Sequence, residues 1–102
     1  MASRLDLQQE LETLLNSRNV YFQPPPSLLM KYDAIRYELA EKHIRRANNH
    51  AYLIVNKYEG VFITQDSESD IPDKMIVHFQ MISLGKPYVS DNLYHFPFTL
   101  YY

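Results

Sequence analysis

The chain has no cysteine, no tryptophan and only two glycines, Gly60 and Gly85, in 102 residues. Without thiols there is no disulfide framework, no thiolate nucleophile and no thiolate-bound metal. Two isolated glycines cannot build a dinucleotide fingerprint or a phosphate-cradling loop, which need several at fixed spacing so that backbone can approach the phosphates. Nothing approaches the ~18 consecutive apolar residues of a spanning helix. The opening residues, Met1-Ala2-Ser3-Arg4-Leu5-Asp6, do not lead into the apolar run of a secretory signal. The expectation is a chain made and used in a cytoplasm-like space, with no membrane partner. A net charge of −2 is not that of a dedicated nucleic-acid binder, which is usually basic on one face, so no sequence-specific nucleic acid is expected either.

Catalytic and metal chemistry is equally thin. His43, His50, His78 and His95 form no HxH or HExxH pair, and no cysteine can complete a zinc site. Asp66, Glu68 and Asp70 alternate as calcium ligands do, but the glycine and bidentate glutamate of such a loop are replaced by Ile71 and Val77. There is no GxSxG elbow. The reading is therefore a non-enzyme without cofactor or metal, working by binding and assembly.

What is present is apolar surface. Hydrophobic residues make up 46% of the chain, with nine Tyr and five Phe, enough to fold and about right for one domain over residues 1–102. Residues 3–18 read as an amphipathic helix, with Leu7, Leu11, Leu14 and Leu15 on one stripe, Ser3 as cap, Asp6 near the positive end of the dipole and a stop at 16–19. Val20-Tyr21-Phe22 is a short β-type run halted by the extended connector Pro24-Pro25-Pro26. Residues 28–47 are ambiguous. Leu28, Tyr32, Ile35 and Leu39 suit a helix, while Ile35, Tyr37 and Leu39 alternate as a strand would; propensity favours the helix.

Asn48-Asn49-His50 reads as a turn. Residues 51–65 are rich in β-formers, with Gly60 marking a bulge or a close backbone approach. An acidic loop, 66–70, enters a second helix capped by Asp70, with Ile71, Met75 and Phe79 on one face and Ile82 extending it. Residues 84–102 read as two strands joined around Ser90-Asp91-Asn92. In the last, Tyr94, Phe96, Phe98, Leu100 and Tyr102 alternate with His95, Pro97, Thr99 and Tyr101. Pro97 places that strand at a sheet edge or on a bulge, and an edge invites another subunit. The predicted architecture is α+β: a small antiparallel or mixed sheet packed by an N-terminal helix and a second, central helix. Its expected core is Leu7, Leu11, Leu14, Ile35, Phe62, Ile71, Met75, Phe79, Phe96, Phe98 and Leu100.

Several stretches resemble one family. They are Asn19-Val20-Tyr21-Phe22-Gln23-Pro24-Pro25, Met30-Lys31-Tyr32-Asp33-Ala34-Ile35-Arg36-Tyr37, Lys57-Tyr58-Glu59-Gly60-Val61-Phe62-Ile63-Thr64, the acidic helix entry 66–74, and Ser90-Asp91-Asn92-Leu93-Tyr94-His95 with its following aromatics. Together they resemble the tail-completion (tail-terminator) proteins of tailed phages, over nearly the whole chain from residue 5. Asp33 stands where that family often carries proline.

The resemblance implies that 32–39 is a strand and 40–50 a loop or short helix, and that reading replaces the helical one. It also implies a structural virion protein of the tail or neck, made in the host cytoplasm. Such a protein forms a homo-oligomeric ring, with sixfold symmetry implied, that terminates the tail tube and meets the tail tube protein and the head-completion or neck protein. A head-completion (stopper) protein is the nearest alternative, and a small peptide-binding adaptor is the one from another class. Candidate subunit contacts are the basic cluster Lys42, Arg45 and Arg46, the acidic cluster Asp66, Glu68 and Asp70, and His95 and Tyr101 on the last strand. The two clusters are expected on opposite flanks of the subunit.

Overall fold

A computed structural model describes residues 4–25, 29–47 and 50–102, with the backbone alone at 43–47 and 50–55. Helix α1 (Arg4–Leu15) is followed by β1 (Val20–Phe22), β2 (Ala34–Ala47), β3 (His50–Thr64), α2 (Ile71–His78), β4 (Ile82–Leu84), β5 (Tyr88–Ser90) and β6 (Leu93–Tyr101). The sheet runs β1-β2-β3-β6-β4, with β5 also on β6. Only β1–β2 is parallel; the other pairings are antiparallel. This is the mixed-sheet α+β fold expected from the sequence.

Helix α1 ends as its sequence dictates. Asn16 adopts φ 56°, Ser17 N–H donates to Glu12 C=O at 3.1 Å and Asn16 N–H to Thr13 C=O at 3.2 Å, a Schellman closure that asparagine tolerates better than a β-branched residue. Its leucine stripe lies on the sheet: Leu7 and Leu11 are fully buried and Leu14 and Leu15 pack beside them. The proposed Ser3 cap lies outside the described residues, as do Pro26 of the proline connector, Leu28, and Asn48 and Asn49 of the predicted turn; His50 already belongs to β3. At α2, Asp70 is the N-cap residue but makes no side-chain cap bond. Ser69 Oγ accepts from Ile71 N–H at 3.3 Å instead, and Asp70 pairs with Lys74 at 3.3 Å.

Residues facing the helices align across four strands. Val20, Ile35, Phe62 and Phe96 form one row, and Phe22, Tyr37, Gly60 and Phe98 the next. Every residue of the expected core is in this cluster or packed against it, together with Val20, Tyr37 and Tyr58. Gly60 marks a close approach rather than a bulge. A β-carbon there would meet Phe98 Cζ at 2.5 Å, the Arg36 carbonyl oxygen at 2.7 Å and Tyr37 Cβ at 2.9 Å. The bulges fall elsewhere, between Leu39 and Glu41 and between Arg45 and Arg46.

Three expectations are corrected. Residues 40–47 are not a loop or short helix, because β2 runs without a break in secondary structure to Ala47. Among the described residues that stretch has no sheet neighbour beyond β3, so its sequence needs no alternating apolar face and does not announce a strand. Ile82 does not prolong the α2 face: Phe79 turns to extended backbone (φ −97°, ψ 136°), and Ile82 opens β4, opposite Leu100. Finally, β6 is not an edge strand, since β3 lies on one side and β4 and β5 on the other. Pro97 is accommodated at the gap between those two short strands, where its C=O accepts from Gly85 N–H at 2.9 Å. A residue's N–H and C=O leave a strand on the same side, so the N–H that proline lacks would have faced this gap and not the β3 ladder.

Phe98 is 3% exposed and seated over Gly60. Phe98→Ala should cost about 3–5 kcal/mol through lost burial and the cavity left behind. Gly60→Ala should cost about 1–3 kcal/mol, because one of the obstructing atoms is backbone that no rotamer can move. Denaturant unfolding checks both; an unchanged midpoint for either variant would contradict the register.

Candidate functional site

Three places gather polar chemistry. The first joins both helices to the end of β6. Glu10, on the second turn of α1, accepts from the Tyr102 hydroxyl through Oε2 and holds His78 Nε2 at 2.8 Å through Oε1. The Phe79 ring sits edge-on to His78 at 4.7 Å and to Tyr102 at 6.3 Å. Both carboxylate oxygens of Glu10 are engaged, so the group reads as a tie between α1, α2 and the sheet rather than a poised acid or base. Nearby, the Tyr37 hydroxyl donates to Gln8 Oε1 at 2.5 Å while Gln8 Nε2 donates to the Val20 carbonyl at 2.8 Å. That link fastens α1 to β1 and β2.

The second place is the sheet face turned away from the helices. A cavity of ≈ 500 Å³ is lined there by Arg36, Glu38, Glu59, Tyr88, Pro97 and Thr99, among others. Glu38 and Glu59 are direct cross-strand partners, a like-charge arrangement that costs stability. Lys57, 3.8 Å from Glu59, offsets part of it. Among these lining residues no hydroxyl or amine is hydrogen-bonded to a base in the way a nucleophile would be.

The third place is the pair of ends of β3. Beyond Tyr37 on one side and Asn56 on the other, β2 and β3 leave their neighbours behind. β1 stops opposite Tyr37, and the last bonds from the β6 side are exchanged between Asn56 and Tyr102. From the pair Lys42–Asn56 to the pair Ala47–His50, β2 and β3 continue as a two-stranded ribbon. Lys42 is exposed at its root. Arg45 and Arg46 stand opposite Leu53 and Ala51, their side chains outside the described residues. At the far end of β3, Asp66 N–H donates to Thr64 Oγ1 at 3.0 Å and Asp66 Oδ1 accepts from Glu68 N–H at 2.9 Å, which folds the acidic loop on itself.

Arg45 and Arg46 thus lie toward the opposite end of β3 from the acidic cluster, with Lys42 opposite Asn56 near the strand's middle, rather than at opposite flanks of the subunit. Fifteen residues of strand span roughly 50 Å, and the longest dimension of the molecule is 52 Å. His95 and Tyr101, expected at an edge, are half-buried inside the sheet. His95 is stacked on Tyr88 at 4.7 Å and 13°. The backbone therefore places Lys42, Arg45 and Arg46 apart from the acidic loop within one chain, whereas Asp70 is paired with Lys74 of its own helix.

Sequence reasoning missed the Glu10–His78–Tyr102 tie and the Gln8 bridge. The one available signal was the alternation of β6, which already put Tyr102 on the core face. No protein-family model matches this chain, and no curated protein or solved structure does so either.

Burial, and then the hydrogen bond to Glu10 and the charges of Glu10 and Asp6, push the Tyr102 hydroxyl well above the ordinary phenol range. Burial likewise raises Tyr37 and Tyr58. A raised acid holds its proton more tightly folded than unfolded. The stability it contributes is complete below about pH 10, the unfolded value, and is lost as pH rises through the folded one. Stability should fall above about pH 10, and less steeply in Tyr102→Phe, which also loses about 1 kcal/mol at neutral pH. Urea titrations from about pH 7 to about pH 11, spanning the ordinary phenol range, check this; parallel curves for the two proteins would contradict it.

Proposed function

We propose that this chain is a structural subunit of a tailed-phage tail, forming a ring that terminates the tail tube and joins it to the head or neck. The observation that carries the reading is the ribbon formed by β2 and β3 beyond the sheet. A two-stranded ribbon is marginal in water without a third strand or a covering surface, and beyond Asn56, which still bonds to Tyr102, both its edges are unpaired among the described residues. A fold that builds such an extension from its central strands is suited to completion by another chain. The chemistry of the polar groups supports the same direction, since Glu10 and His78 serve to tie elements together. The family resemblance of residues 19–25, 30–37, 57–64, 66–74 and 90–95 supplies the particular assembly.

Charge placement adds to the case. Opposite charges roughly 30–50 Å apart along one strand cannot neutralise each other, because the Debye length is about 8 Å at physiological salt. Between head-to-tail copies they can meet, and there they set order and register.

Incubated with isolated tail tubes, the purified chain should bind one end only, as a ring visible by negative-stain microscopy. Tubes assembled without it should overrun their normal length. Changing Arg45 and Arg46 to Glu should raise the concentration needed for assembly roughly tenfold at low salt, and adding Asp66→Lys and Glu68→Lys should recover part of that loss. Absence of end-binding, with normal tube length in its absence, would contradict the reading.

A further inference from the structure

The ribbon has an uneven composition. Its β2 half carries Lys42, Arg45 and Arg46, whereas its β3 half holds five consecutive apolar residues, Ala51, Tyr52, Leu53, Ile54 and Val55, between His50 and Asn56. The other apolar stretch of the same strand, Val61-Phe62-Ile63, has β2 on one edge and β6 on the other. Residues 51–55 have β2 on one edge and nothing on the other among the described residues. An apolar strand with an unpaired edge is a template for adding another strand.

The opposite end of the molecule offers a matching edge. β5 pairs with β6 through Tyr88–His95, Val89–Tyr94 and Ser90–Leu93, and no strand lies on its other side among the described residues. All three of its residues are exposed, Tyr88 by 50% and Val89 by 62%. The Tyr88 ring is held flat against His95, and the turn Asp91-Asn92, with φ 52° and 64°, is the two-residue type that keeps a hairpin rigid. β5 is therefore a preformed edge. Because Thr64 pairs with Tyr94 and Tyr94 with Val89, β5 sits at the same end of β3 as the acidic loop 66–70.

We propose that the free β3 edge of the ribbon, residues 51–55, adds to the free edge of β5 in a second copy of this chain. The proposal rests on the ring reading and names its contact. The two surfaces differ and lie at opposite ends of one molecule, so the contact is head-to-tail and propagates until the rotation between copies closes it. The basic half of the ribbon approaches the end carrying the acidic loop, and this charge complementarity orients the encounter. Adjacent strands bring facing Cα atoms to about 4.5–5.5 Å, within the range a disulfide can bridge.

The chain's lack of cysteine makes the test clean. Leu53→Cys and Val89→Cys are prepared as separate variants, mixed in equal amounts at high concentration and oxidised, while sedimentation velocity on the parent protein reports self-association. Crossed dimers, with one chain of each variant, should exceed both self-linked forms at least fivefold. Val89→Glu, at an exposed position, should weaken self-association at least tenfold. Self-association of the parent with no excess of crossed dimers, or with self-linked Leu53→Cys dimers dominant, would overturn the inference while leaving the ring reading standing. A parent that stays monomeric at every concentration, without crossed dimers, would overturn the inference. Rings that form only on tube ends would then be held by some other contact.

Discussion

The ring of Phe98 occupies the space that any side chain at residue 60 would need, and the rest of the sheet is arranged around that contact. Gly60 lies on β3, the strand to which both β2 and β6 are paired. With no side chain at that point, Tyr37 from one neighbour and Phe98 from the other converge over the strand. The helices then close over the row they form: Leu7 and Leu11 from α1, Met75 from α2 and Phe79 from its C-terminal cap. A glycine in a strand interior is ordinarily destabilising. Here the weakness is offset by an aromatic that could be seated in no other way.

Because β3 is central to the core, it can also extend beyond it. Its C-terminal half is fixed by β2, β6 and the helices, while its N-terminal half continues with β2 alone. The same strand thus gives the molecule a firm end, where the acidic loop and β5 lie, and an extended end, where the ribbon lies. The polar ties at Glu10 and Gln8 all fasten the firm half.

Much of the architecture was legible where local and tertiary demands agree. The leucine spacing and Asn16 stop of α1, the helix entry at Asp70, and the alternation of β6 each carry their structure in adjacent residues. The core followed, because rows of aromatics at period two have one buried solution. Residues 28–47 were not legible by periodicity. Ile35 and Leu39 sit four apart, as on a helix, and only their partners Phe62 and Tyr58 on β3 make them a strand. Beyond Leu39, residues 40–42 are exposed and the run that follows is rich in charge, so it resembles a loop. Pro97 misled in the other direction: an edge was inferred from the missing donor, but two short strands with a gap between them solve the same problem inside a sheet. Of the candidate contacts, Arg45 and Arg46 lie toward the opposite end of β3 from the acidic loop, and His95 and Tyr101 are half-buried on a strand with neighbours on both sides.

The central claim is that the backbone of this fold is finished by another copy of itself. Amide hydrogen exchange measured across a range of protein concentrations tests it directly, since an unpaired edge exchanges freely and a paired one does not. Protection should rise with concentration at residues 51–55 and at Tyr88–Ser90 together, while the amides of α1 and the core of β3 stay unchanged. Exchange at both segments that is independent of concentration, up to the highest attainable, would contradict the account.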